Sequence, residues 1–108
     1  MSNEEKLEVE RGSGNVYRDF ARADADVRQT KAILAARIVG VLDDEKLSTR
    51  AAQARTGVNQ ADFSRIRNAK LERFTIDRLM KILNLLGREV DVQVRVQRRE
   101  EEVAAALS

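Results

Sequence analysis

Asn59, Gln60, Ala61, Ser64, Arg65 and Asn68 crowd into one short stretch. If residues 60–67 are helical, Val58, Phe63 and Ile66 are spaced to turn inward, and those six side chains face out. Such a surface suits a DNA major groove: Gln can bond adenine through two hydrogen bonds, Arg can bond guanine, and Ala can touch a thymine methyl. Thr49 and Arg50 before this stretch, and Lys70, Arg73 and Thr75 after it, are placed to meet phosphates. A short helix, a glycine turn and a second short helix also occur in ordinary helical bundles. Spacing alone therefore leaves simple packing open beside DNA binding.

The elements that must hold these side chains can be followed along the chain. Asp24 or Asp26 can cap a first helix running to about Asp44, with Val27, Leu34, Ile38, Val41 and Leu42 on one face. A second helix is expected from Ser48 to about Arg55, stopped by Gly57. Ala52 sits where that helix must approach the third. Asn59 is the expected cap of the third helix, Gln60 to about Arg67. Thr75 caps a fourth, whose apolar residues are Ile76, Leu79, Met80, Ile82, Leu83 and Leu86 before Gly87. The period then changes to two: Val90, Val92, Val94 and Val96 alternate with Asp91, Gln93, Arg95 and Gln97, the pattern of a β-strand. A lone strand leaves its own backbone unsatisfied. The same strand of a second copy, antiparallel about a two-fold axis, is the economical partner; pairing with Val16–Phe20 is the alternative.

Residues 1–14, charged and ending in Gly12-Ser13-Gly14, read as a flexible N-terminal arm. In the next stretch Val16, Tyr17 and Phe20 are candidates to anchor the leader on the core. Residues 15–97 form the helix-turn-helix domain with its dimerisation strand, and residues 98–108 a charged, then alanine-rich tail. The expected fold is mainly α: a bundle of helices holding a helix-turn-helix, plus the C-terminal strand that pairs across a dimer.

Composition narrows the function further. The 108 residues include no cysteine and no histidine, which excludes disulfides, thiolate metal sites and cysteine or histidine nucleophiles. No acids stand at a recognisable catalytic spacing. An enzyme is not expected, nor a cofactor or metal. With only 4% aromatic residues the core should be aliphatic, and the absence of proline lets helices run unbroken. No stretch approaches the roughly 20 apolar residues of a membrane span. The acidic N-terminus is not built as a signal peptide, so a cytoplasmic protein is expected. The net charge of +2 conceals a gradient: residues 46–78 carry eight basic and three acidic side chains, whereas residues 1–45 carry seven and ten. A basic middle third suits a polyanion, although a charge run is also the mark of a plain solvated face.

The run LSTRAAQARTGVNQADFSRIRNAKLERFTIDRLMKILNLLG resembles the Cro/phage-repressor-like (XRE) helix-turn-helix family. More narrowly, with GSGNVYRDF before it and EVDVQVRV after it, the chain is similar to antitoxins of the HigA type. The resemblance covers about residues 13–97. It implies four or five helices, dimerisation and operator binding, and a RelE/HigB-like ribonuclease toxin as partner. Thr49 departs from the family's usual Gln, which shortens its reach to phosphate. Gln53 departs from an Ala expected at a tight helix contact.

The expected function is thus a homodimeric transcriptional repressor on an inverted-repeat operator of double-stranded DNA. The resemblance makes it the autoregulating antitoxin of a type II toxin-antitoxin pair. The alternatives are a protein-interaction module that neutralises a toxin without touching DNA, and a regulator with no toxin.

Overall fold

The structure, a computed structural model, describes the backbone of residues 13–98 and the side chains of residues 20–98. Four helices follow in order: α1 (Ser13–Asp44), α2 (Thr49–Thr56), α3 (Gln60–Arg67) and α4 (Ile76–Leu85). The expected arm and tail fall largely outside the described residues, except that Ser13 and Gly14 already belong to α1.

Helix α1 starts well before the expected caps at Asp24 and Asp26. No proline interrupts residues 15–26, and both aspartates are accommodated inside the helix. Asp24 pairs with Arg28 one turn on, at 3.1 Å, and the Asp26 carbonyl accepts a bond from Thr30 Oγ1 at 2.9 Å. At 32 residues α1 is about 48 Å long, and only its second half meets the bundle. There Ala35, Ile38, Val41 and Leu42 are buried. Val27, expected on that buried stripe, is 41% exposed, and Phe20, an expected anchor, is 67% exposed. Both precede the point where α1 reaches the other helices.

The three remaining helices start and stop where local chemistry places them. Ser48 caps α2, its Oγ accepting the Ala51 N–H at 3.0 Å. Gly57 ends α2 at φ 83°, a left-handed conformation that costs glycine little. Asn59 Oδ1 accepts the Ala61 N–H at 2.7 Å and caps α3, while Thr75 Oγ1 accepts the Arg78 N–H at 3.2 Å and caps α4. At the far end of α3 the left-handed residue is Ala69, at φ 57°. It lets the Lys70 N–H reach the Arg65 carbonyl at 2.9 Å.

The core gathers one stripe from every helix. Ala52 of α2 is fully buried, as the close approach to α3 requires. Phe63 and Ile66 of α3, Leu79, Ile82 and Leu83 of α4 and Leu86 at its C-cap complete the interior with α1. The core is not purely aliphatic. Phe63 and Phe74 are the largest buried side chains, and Phe74 lies in the α3–α4 connection, where no periodicity marks it.

Among the described residues no strand forms. Val90 packs against the core, but Val92, Val94 and Val96 are 56%, 79% and 89% exposed. The physical reason is the absence of a ladder partner among the described residues. The alternative partner, Val16–Phe20, is part of α1 and so cannot pair with it as a strand. Among the described residues no helix is long and apolar enough to cross a membrane.

Candidate nucleic-acid interface

Helices α2 and α3 and the Gly57 turn present one polar surface. Gln60, Ala61 and Ser64 stand exposed along α3, while Phe63 and Ile66 hold the opposite face in the core. The other expected base readers are constrained. Asn59 is exposed, but its carbonyl oxygen is committed to the cap. Asn68 lies at the C-cap, its Nδ2 donating to the Ser64 carbonyl at 2.9 Å, so its amide folds back on the helix. Arg65 is half-buried, and its Nη1 lies 2.7 Å from Asp62 Oδ1.

Gln53 occupies a different place from the tight helix contact expected of it. It is exposed, and its Oε1 accepts the Gln60 backbone N–H at 2.7 Å. Two side chains therefore satisfy the first turn of α3: Asn59 binds the Ala61 N–H and Gln53 the Gln60 N–H. Each of these donors would be orphaned at an uncapped end. The long Gln side chain thus fixes where α3 begins relative to α2.

Charge pairing sorts the basic residues into two groups. Arg67 reaches Asp43 at the end of α1, at 2.9 Å. Arg55 and Arg88 both grip Glu45, Arg88 at 2.9 Å. These bonds, first that of Arg55 and then that of Arg88, hold the Glu45 carboxyl below its ordinary pKa. Among the described residues Arg50, Lys70 and Arg73 enter no ion pair, and all three are exposed. Unpaired cations flank α3 on both sides, where phosphates would run along a groove. Thr49 opens α2 and is half-buried, and Thr75 gives its oxygen to the α4 cap. Beside it the Asp77 carboxyl is held below its ordinary pKa, chiefly by the Thr75 side chain.

The comparisons bear on what this surface is. A family model described as a helix-turn-helix domain matches residues 16–95. A solved structure named "Putative XRE Family Transcriptional Regulator" shares 45% identity, with a TM-score of 0.64 over 71% of this chain and 86% of the other. The chain belongs to the XRE family of helix-turn-helix proteins. No curated protein matches it.

Within this XRE-family chain, sequence reasoning missed Asp62 and Arg78. Asp62 was legible only as an acid one turn before Arg65. Its second partner, Arg78 on α4, stands 16 residues away with Nη2 3.0 Å from Oδ2. The Arg78 guanidinium also sits 5.7 Å from the centre of the Phe74 ring, within range of a cation–π contact. Nothing in linear spacing announces that cross-helix link.

Proposed function

We propose that this chain is a sequence-specific DNA-binding transcriptional repressor that lays α3 in the major groove. The observation that carries the reading is the exposed Gln60–Ala61–Ser64 face of α3, flanked by the unpaired Arg50, Lys70 and Arg73. Gln60, Ala61, Ser64 and Arg65 read bases, with Asn59 and Asn68 at the two ends of the helix. Arg50, Lys70 and Arg73 meet phosphates, joined by Thr49 and Thr75 at helix N-termini.

The working form is a homodimer paired through Val90, Val92, Val94 and Val96. The exposure of the last three valines, and the absence of a strand partner among the described residues, support it. An open groove of about 620 Å³ between α1 and residues 88–91, lined by Ile33, Gly40, Val41 and Val90, adjoins that segment. A dimer sets its two recognition helices about 34 Å apart, which demands an inverted repeat with half-sites one turn apart. Hydroxyl-radical footprinting on DNA upstream of the gene tests this. Two protected patches about ten base pairs apart are expected, and a single patch contradicts the dimer.

The finer reading is the autoregulating antitoxin of a toxin-antitoxin pair. It rests on the resemblance to HigA-type antitoxins and on the projecting half of α1, where Phe20 and Val27 are exposed apolar groups. A RelE/HigB-like toxin covering that face would copurify when the neighbouring gene is co-expressed, and Phe20→Asp with Val27→Asp would release it. A chain that binds such a toxin but no DNA would be an interaction module instead, and one that binds DNA with no toxin a plain regulator.

A further inference from the structure

Among the described residues Asp62 is the acid of the recognition helix, and it is deeply placed: its side chain is 16% exposed. Each of its carboxylate oxygens is engaged. Oδ1 holds Arg65 Nη1 at 2.7 Å and Oδ2 holds Arg78 Nη2 at 3.0 Å. Arg78 is in turn set against Phe74, which is buried. The guanidinium of Arg65 is thereby tied through Asp62 to the wall of the bundle. Only one nitrogen of that guanidinium is engaged, and an arginine carries five N–H donors in a rigid fork.

We propose that Asp62 is a positioning residue that aims Arg65 at a base edge and so sets the sequence preference of the protein. The proposal rests on the DNA-binding reading above. A free arginine on a groove-facing helix can swing to any phosphate, and a phosphate contact carries no sequence information. An arginine held by a fixed carboxylate loses that choice, and its remaining donors meet the fork of acceptors on guanine. The same negative charge repels phosphate oxygens, so it also weakens binding out of register. Asp62 thus lowers affinity for DNA in general and raises the contrast between right and wrong sites.

The test takes the sequence that the parent protein enriches from a random duplex pool. Affinities for that duplex and for a scrambled one are then compared at one salt concentration. Asp62→Asn keeps the shape and removes the charge. It should bind the scrambled duplex more tightly and lower the preferred-to-scrambled ratio about fivefold or more. Asp62→Glu keeps the charge but moves the guanidinium, so the ratio should fall with scrambled binding unchanged. In an Arg65→Ala background, Asp62→Asn should lower the ratio clearly less than it does in the parent, because the part that acts through Arg65 is already gone. Circular dichroism melts confirm that each variant is folded. Ratios equal to the parent's in both Asp62 variants, or an undiminished drop without Arg65, overturn the proposal. A parent that enriches no sequence removes the DNA reading itself, and this proposal with it.

Discussion

Gln60 and Arg65, both base readers in the proposed function, differ in their surroundings, since Gln60 is exposed on α3 and Arg65 is held by Asp62. Gln60→Ala and Arg65→Ala are each expected to relax base preference by roughly 1–3 kcal/mol at one position of the site. Competition binding with single-base operator variants measures this, and unchanged discrimination in both variants would place the recognition surface elsewhere. Lys70 and Arg73 belong to a different class. Lys70→Ala or Arg73→Ala should weaken binding to all sequences alike and flatten the salt dependence of log K by about one phosphate each. A slope equal to the parent's would remove that residue from the phosphate set. Ala69 tests the local backbone. At φ 57° it holds a conformation that costs an L-residue about 1 kcal/mol, so Ala69→Gly should raise stability by about 0.5–1 kcal/mol, read as a higher melting temperature.

At the scale of elements, the second, third and fourth helices were legible because their boundaries are set by adjacent residues. Ser48, Gly57, Asn59 and Thr75 each act within four positions of themselves. The start of α1 was not legible. An aspartate resembles a helix cap wherever it stands, and Asp24 and Asp26 are instead satisfied inside a longer helix. Gln53 misleads in a similar way, since its role depends on where α3 begins. Phe74 lies in the α3–α4 connection and Arg78 in the first turn of α4, and their contacts depend on tertiary approach rather than period. Glu45 is a further tertiary link, joining the α1–α2 turn to Arg55 of α2 and to Arg88 beyond α4. Its carboxyl is held below the ordinary value of 4.5 in the folded state. The unfolded chain therefore takes up the proton more readily, and this contribution to stability is lost as pH falls below that value toward the folded pKa. Melting temperature should decline as pH falls below about 4.5 more steeply in the parent than in Glu45→Gln. Parallel declines would show that the clamp adds no pH dependence.

For the whole molecule, the proposed dimer turns on the valine segment of residues 90–97. Its alternation of valine with polar residues was plain in the sequence, but a ladder needs two strands and the described residues offer no partner for it. Val92→Asp together with Val94→Asp places charges on the exposed valine face. The variant should be a monomer by light scattering and should bind its operator far more weakly than the parent. A variant that remains dimeric would move the interface, with the exposed Ile33 and Leu85 as the next surfaces to change. In the proposed dimer Arg50, Lys70 and Arg73 would also act at this scale, because two copies would double the number of phosphates met and steepen the response to salt.

The central claim is that α3 binds DNA by sequence, and a salt-titrated gel shift against DNA from immediately upstream of the gene tests it most directly. The account predicts a discrete complex that a scrambled duplex does not compete away and that weakens steeply as salt rises. No retardation even at low salt, or equal competition by the scrambled duplex, would contradict it.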